Sequence, residues 1–311
     1  MSAGQKGFYL PIQERIKYLL EQGNLQAIYE LSKEYVRTVG DMLNDYPLVL
    51  AQWEEANPEL LRKLMVRTWD RLDKSVQKRF MHLMINMIHR VAKSEFLKAG
   101  VTTGEVQSQP FDFEGDEIDL DRTVESIVDN PIPSYENIYV LDRKKRKKST
   151  VLIMDVSGSM QGEKLSMAAI AVASIAMNLD RKDEYSVVLF SEQVNILKRV
   201  DQQKPLDEVI RKVLEILPGG RTNIGLGLLA GLKEINRSVT EHKTAILLTD
   251  GQQNTGHDPL PLARRFPQLH VISLPGGKPS FAQEIARCGR GHFISLNNML
   301  DVPKAILKCL A

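Results

Sequence analysis

The 311-residue sequence predicts an α/β fold: a doubly wound, mostly parallel sheet preceded by an all-α N-terminal domain. Two observations predict it. In the C-terminal half, short apolar runs alternate with helical patterns, which is typical of parallel strands joined by crossover helices. In residues 8–100, apolar residues instead recur at helical spacing. With 43% hydrophobic and 26% charged residues, the chain has the composition of an ordinary globular protein and the length for two domains.

We divide the chain into a helical domain at 1–100, a connector that is first acidic and then basic at 101–148, and an α/β domain at 149–311. In the helical domain, one long helix is expected from Leu72 to Leu97, ended by Gly100. This domain carries no recognisable catalytic constellation.

The connector contains two charged stretches. The acidic stretch at 111–123 is expected to be a solvated loop. The basic run at 143–148 has no interleaved aromatic residues, which favours a solvated connector over a nuclear signal or a phosphate-binding patch. The net charge of +2 gives no general attraction to nucleic acid, so no nucleic-acid partner is expected. Residues 135–141 are predicted to form a strand that leads into the α/β domain.

The α/β domain is expected to contain six strands. They are predicted near 151–156, 185–190, 193–199, 244–249, 269–274 and 291–295. The third follows the second after a very short turn, so it should be an antiparallel edge strand. Helices are predicted near 161–179, 205–216, 223–236, 258–265, 280–288 and 299–310.

The most informative segment is the first central strand and the loop that follows it. Four apolar residues at 151–154 lead into Asp155, and the loop then carries Ser157 and Ser159. A buried strand therefore delivers one carboxylate and two hydroxyls to its carboxyl end. In open α/β sheets, ligands bind at that end of the strands.

Two later segments supply matching groups. A glycine-rich loop at 218–225 presents Thr222, and a second apolar run at 245–251 ends in Asp250. Together with Asp155, Ser157 and Ser159, these residues make an all-oxygen set. Hard oxygen donors suit Mg²⁺, Mn²⁺ or Ca²⁺ rather than zinc, and the low number of carboxylates favours Mg²⁺. Each segment alone has an ordinary alternative, because Ser, Asp, Thr and Asn also cap helices and form turns.

In this combination the residues resemble the metal-ion-dependent adhesion site (MIDAS) of the von Willebrand factor A (VWA) family, over about residues 149–311. The resemblance implies a Rossmann-like fold. It also implies an ion held by Asp155, Ser157, Ser159, Thr222 and Asp250. In that family the hydroxyls contact the metal directly, one or both carboxylates act through water, and the open position takes an Asp or Glu from a partner protein. The implied function is a metal-dependent protein–protein interaction module and not an enzyme.

The stretch at 118–125 resembles the segment that precedes the VWA domain in bacterial and archaeal proteins that pair with MoxR-type AAA+ ATPases, and in the magnesium-chelatase D subunit. This resemblance implies an adaptor or co-chaperone whose partner is such an ATPase or its client. The N-terminus lacks a signal-peptide core, and no apolar stretch approaches the ~20 residues of a membrane span. The two cysteines, Cys288 and Cys309, are compatible with a reducing compartment, so a cytoplasmic location is expected.

Three alternatives remain open: a metal-chelatase D-like subunit, a metal-dependent hydrolase that uses the same site, and an ion that only fastens loops together. A hydrolase would need groups to activate water. No His or Lys accompanies the site in sequence, apart from His257, which is expected to be a surface residue. Arg221 lies beside Thr222, where it would either favour acidic partners or point to solvent.

Overall fold

A computed structural model gives the fold. It describes residues 11–53, 58–99, 105–111, 118–129, 134–144, 147–160, 163–179, 183–250, 253–277 and 279–310. Gly100, which was expected to end the long helix, lies outside these ranges.

The N-terminal region is helical, as predicted. Its helices are α1 (Ile12–Glu21), α2 (Leu25–Glu34), α3 (Val36–Asp45), α4 (Val49–Gln52), α5 (Pro58–Thr68) and α6 (Lys74–Ala99). Helix α2 is capped by Asn24, whose side chain accepts a hydrogen bond from the Ala27 amide and so satisfies one free N–H of the first turn. Trp53 is buried, and its indole N–H donates to the Gly23 carbonyl, which fixes the turn between α1 and α2.

The connector is more ordered than the sequence suggested. Strands β1 (Glu105–Pro110) and β2 (Tyr139–Lys144) pair antiparallel, and α7 (Leu120–Asp129) lies between them in sequence. The expectation of a solvated loop at 111–123 is therefore wrong from Leu120 onward, because a helical pattern begins there. The strand predicted at 135–141 begins only at Tyr139, after a 3₁₀ turn at Tyr135–Asn137, and it pairs with β1 instead of leading into the larger sheet.

The C-terminal region contains the predicted six-stranded sheet, with strand order β5-β4-β3-β6-β7-β8. Its β5 edge pairs antiparallel, as predicted, and the other pairings are parallel. The strands are β3 (Lys148–Asp155), β4 (Glu184–Phe190), β5 (Val194–Lys198), β6 (His242–Thr249), β7 (Leu269–Ser273) and β8 (Arg290–Ser295).

Helices cover both faces of this sheet, which confirms the doubly wound architecture. They are α8 (Glu163–Asn178), α9 (Leu206–Leu214), α10 (Ile224–Arg237), α11 (Leu260–Ala263), α12 (Pro279–Cys288) and α13 (Val302–Leu310). Helix α11 is half as long as the helix predicted at 258–265. Pro259 and Pro261 both lie at its N-terminal end, and the chain turns directly after it at residues 264–265.

The two faces of the sheet belong to two separate apolar clusters. Along β3, Leu152 and Met154 belong to one cluster and Val151 and Ile153 to the other, as the alternation of a strand requires. The first cluster runs on without a break into the N-terminal helices, because α6 packs against α8 and α13. The helical region therefore shares its core with one face of the sheet.

Candidate metal centre

Asp155 ends β3 and is fully buried. Its Oδ1 accepts a hydrogen bond from the Ser157 backbone N–H at 2.9 Å, and its Oδ2 accepts one from the Thr249 hydroxyl at 3.0 Å. Burial raises the pKa of this carboxyl; hydrogen bonds from Ser157 and Thr249 oppose the rise, and the nearby Asp250 carboxylate adds to it. The carboxylate is thus held rigidly in a place where its negative charge is costly.

The two serines of the loop after β3 lie side by side. The Ser157 and Ser159 hydroxyl oxygens are 3.2 Å apart, and Ser157 is buried while Ser159 is exposed. A 3₁₀ turn at Gly158–Met160 brings them together, and the Met160 amide donates to the Ser157 carbonyl to close it. Two hydroxyls at this spacing can bind one ion from the same side.

Backbone hydrogen bonds tie the Thr222 loop to the loops on either side of it. The Gly158 amide donates to the Gly220 carbonyl at 3.1 Å. On the other side, the Thr222 amide donates to the Asn254 side chain at 2.8 Å, and the Thr222 carbonyl accepts from the Asn254 amide at 3.2 Å. Buried Thr222 therefore lies between the serine loop and the loop that follows Asp250.

Asp250 directly follows β6 and is fully buried beside the end of β3. Its Oδ2 accepts a hydrogen bond from the Lys164 ammonium at 3.0 Å, and only 17% of the Lys164 side chain is exposed. The expectation that no Lys accompanies the site is therefore wrong. Lys164 lies in the first turn of α8, 86 residues before Asp250 in the chain.

Helix α10 is capped by the residue that follows Thr222, and not by Thr222 itself. The side chain that caps α10 is that of Asn223, which accepts from the Leu226 amide at 3.0 Å. Thr222 thus lies outside the helix, with its backbone held from both sides. His257 and Arg221 are both exposed; the Arg221 backbone N–H donates to Glu192.

The donor set fits a divalent cation. Two buried carboxylates lie close enough for the charge of Asp250 to affect Asp155, and the Lys164 ammonium is bonded to Asp250. The remaining donors are hydroxyl oxygens, which together with carboxylates suit Mg²⁺, Mn²⁺ or Ca²⁺. Within the described ranges, no three His, Cys, Asp or Glu side chains gather into a metal cage.

The doubly wound fold, with the candidate ligands at the carboxyl ends of the strands, places the C-terminal part in the class of α/β domains that bind ligands there. Residues 150–299 match the family model described as the von Willebrand factor type A domain. This part of the chain is a VWA domain.

Curated relatives match about a third of this chain. Inter-alpha-trypsin inhibitor heavy chain H3 of Bos taurus is 34% identical over 121 residues, which make up 35% of this chain and 13% of that protein. Heavy chain H1 of Bos taurus is 31% identical over 123 residues, or 36% and 14%. The chain thus matches less than a sixth of the length of these relatives.

Solved structures give more distant likenesses. An aerotolerance-related membrane protein from Bacteroides fragilis aligns at 18% identity and a TM-score of 0.45, over 52% of this chain and 98% of that one. Proximal thread matrix protein 1 of the mussel byssus, with zinc in its MIDAS motif, aligns at 21% identity and a TM-score of 0.44, over 52% and 46%. At these scores the likeness carries no functional information for this chain. No helix within the described residues is long and apolar enough to cross a membrane.

Proposed function

We propose that this protein is a metal-dependent interaction module. In this proposal Ser157, Ser159 and Thr222 bind Mg²⁺ directly, Asp155 and Asp250 hold it directly or through water, and the open position takes a carboxylate of a partner protein. The observation that carries the proposal is the convergence of two buried carboxylates with the buried residues Ser157 and Thr222 at the carboxyl ends of the strands.

Charge supports the bridging role. Neutral hydroxyl ligands leave the cation electron-poor, so it keeps an affinity for one more anionic oxygen. The Lys164 ammonium on Asp250 further reduces the negative charge that the protein itself supplies. Ser159 is the exposed member of the set, so it marks the side from which a partner carboxylate would approach.

The first experiment compares metal binding by wild type and Asp155→Asn. Asparagine keeps the acceptor for the Ser157 amide and can donate to Thr249, so the fold should survive while the site loses one negative charge. Mg²⁺ at a hundred times its Kd should stabilise wild type by about 2.7 kcal/mol and should leave the variant unshifted. The readout is the melting temperature with and without metal, checked by calorimetric titration.

Asp258→Asn is the matched control. Asp258 is an exposed carboxylate in the loop beyond the site, where it accepts a hydrogen bond from the Leu260 amide. This variant should respond to Mg²⁺ as wild type does. Equal metal responses in wild type and Asp155→Asn would contradict the assignment of the site. Mn²⁺ and Ca²⁺ are run in parallel to establish which ion binds best.

We further propose that the partner is a MoxR-type AAA+ ATPase or its client, and that the protein acts as its adaptor or co-chaperone inside the cell. The support is the resemblance of residues 118–125 to the segment found in such proteins. The test is binding of a purified MoxR-type ATPase from the same organism, with Mg²⁺ and with EDTA. Binding by metal-loaded wild type alone is expected. If binding survives both the Asp155→Asn substitution and EDTA, the ion only holds the loops of the site together and does not bridge to the partner.

We also propose that the site is not catalytic. The Lys164 ammonium is held in an ion pair with Asp250, and the Ser157 hydroxyl is shared between the Ser159 hydroxyl and the Asp155 carboxylate, which this proposal assigns to the ion. A metal-dependent hydrolase predicts turnover of p-nitrophenyl phosphate or acetate that is lost in Asp155→Asn. We expect no turnover above that of the variant. A chelatase D-like subunit would be recognised by ATPase-dependent metal insertion only when a separate ATPase subunit is added.

A further inference from the structure

Arg221 is an exposed cation beside the candidate metal centre, since it directly precedes Thr222 in the chain. Within the described ranges, no carboxylate lies at ion-pair distance from its guanidinium. The neighbouring carboxylate, that of Glu192, instead accepts a hydrogen bond from the Arg221 backbone N–H at 3.1 Å. The positive charge of the Arg221 side chain is therefore left for another molecule.

Hydrogen bonds hold the backbone at Arg221 in place. Besides the bond from the Arg221 amide to Glu192, the Gly219 amide donates to the Val156 carbonyl at 3.1 Å. Thr222, on the other side, is held through its amide and its carbonyl. The point from which the Arg221 side chain starts is thus fixed relative to Thr222. Such preorganisation lowers the entropy that is lost when a partner binds.

The backbone around Arg221 leaves the approach to the site open. Gly158 and Gly219 are both exposed, and neither has a positive φ. A Cβ at Gly219 would meet nothing within 4 Å, and one at Gly158 would meet the Gly220 carbonyl oxygen at 3.7 Å, an ordinary contact. Neither the backbone conformation nor internal packing requires glycine at these two positions. Their missing side chains leave room for a partner beside Ser159 and Arg221.

The charges at the site favour a second anionic group on that partner. The function proposed above assigns Asp155 and Asp250 to the ion, and Asp250 is also bonded to the Lys164 ammonium. One carboxylate of a partner fills the open position and leaves the charge of Arg221 without a partner. A second carboxylate would meet a planar guanidinium, whose donors match both carboxylate oxygens.

We propose that Arg221 selects partners that present two neighbouring carboxylates, one for the ion and one for its guanidinium. This inference rests on the function proposed above, because it needs the ion. In an extended segment, residues two apart point to the same side and lie roughly 7 Å apart. The sequence Glu-x-Glu is therefore the simplest acidic segment that offers both groups to the site.

Immobilised peptides test the proposal. Three are compared, with the central sequences Glu-Gly-Glu, Glu-Gly-Gln and Gln-Gly-Glu between identical Gly-Ser flanks, each in Mg²⁺ and in EDTA. Wild type should bind only in Mg²⁺, and it should bind Glu-Gly-Glu roughly fivefold more tightly than either peptide with one Glu. Arg221→Gln should reduce this preference to the small statistical advantage that two carboxylates have over one.

Two control variants separate the role of Arg221 from a general attraction between opposite charges. Arg221→Lys keeps the charge and should keep part of the preference for Glu-Gly-Glu. Arg265→Gln removes another exposed cation, which lies before the amino end of β7, and should keep the full preference. The rise in melting temperature that Mg²⁺ causes is measured for every variant, so that a loss of metal is recognised.

The outcomes distinguish this inference from the function on which it rests. An equal preference for Glu-Gly-Glu in wild type and Arg221→Gln, with capture that still requires Mg²⁺, would overturn the role of Arg221 alone. A loss of the preference in Arg265→Gln would also overturn it, because any surface cation would then suffice. Equal capture in Mg²⁺ and EDTA, or no capture by wild type, would overturn both the bridging function and this inference.

Discussion

Helices α8 and α10 both cover the central sheet, yet their surroundings differ. Residues 165–175 of α8 are all buried, because the sheet lies on one side and α6 and α13 on the other. Helix α10 keeps an exposed stripe at Leu229, Lys233 and Asn236, spaced as one outer side of a helix. A helix that is apolar on all sides thus indicates that a second layer of structure covers the side turned away from the sheet.

The small residues of the two helices show the same difference in their contacts. On α10, a Cβ at Gly227 would come within 2.5 Å of the Phe190 ring, and one at Gly231 would meet the Ile153 side chain. On α8, alanines hold the helix between two layers. Helix α10 therefore packs very closely against its face of the sheet. On the other face, α8 is itself covered by the N-terminal helices.

The largest effect is expected from a substitution in α6, which lies outside the VWA domain and covers α8. Phe80→Ala removes a fully buried ring from α6 and should lower the free energy of unfolding by about 3–5 kcal/mol. If the core is shared, the whole chain should still unfold in one transition. Both tryptophans, Trp53 and Trp69, lie in the helical region, so their fluorescence reports it alone, while circular dichroism reports the whole chain. Separate transitions by the two probes would contradict a shared core.

A smaller effect concerns acid stability on the α8 side of the sheet. Strand alternation places His270 on the same face as Ile272, and the His270 Nδ1 accepts from the His292 backbone N–H at 2.9 Å. Burial, with the charge of stacked His292, lowers the pKa of His270 from 6.5 to about 4. The unfolded chain therefore binds this proton first, so stability should fall between pH 6.5 and 4, by at most about 3 kcal/mol.

The comparison variant for this pH effect is His270→Asn, whose amide oxygen can still accept from His292. Its unfolding free energy, measured by urea titration from pH 7 to 4, should depend less steeply on pH than that of wild type. Parallel curves would show that His270 does not titrate as its burial implies.

Substitution in α10 should cost less. Gly227→Ala forces a methyl group against the fully buried Phe190 and should destabilise the protein by about 1–3 kcal/mol. Gly219→Ala is the control, because a Cβ there meets nothing within 4 Å. Chemical denaturation of both variants measures the difference, and equal stabilities would show that α10 can move away from the sheet.

The smallest effect lies where α8 reaches the metal centre. Lys164→Met removes the ammonium from Asp250 and should tighten divalent-metal binding by roughly tenfold at most, because one positive charge near the ion is lost. Calorimetric titration with Mn²⁺ measures this. Lys233→Met, on the exposed side of α10, should bind as wild type does. Weaker binding by Lys164→Met would mean that Lys164 mainly holds Asp250 in position.

The sequence predicted the sheet, its antiparallel edge and most helices, because each strand and crossover has its own apolar periodicity. It could not reveal the partners of Asp155, Thr222 and Asp250. Thr249, Asn254 and Lys164 reach them only after distant segments have folded together. One sign was available for Lys164: a lysine in the first turn of the helix after the serine loop must lie near the strand ends. The α7 helix was missed because its acidic residues dominated the pattern of the connector.

The hydrogen bond between Thr249 and Asp155 joins residues 94 positions apart in the chain. It forms only after β3 and β6 have paired, which requires closing a long loop at an entropic cost. The oxygen cluster is therefore completed late, and a molecule caught halfway through folding cannot yet offer it. An ion that binds there would select finished molecules and slow their unfolding, while leaving the rate of folding almost unchanged.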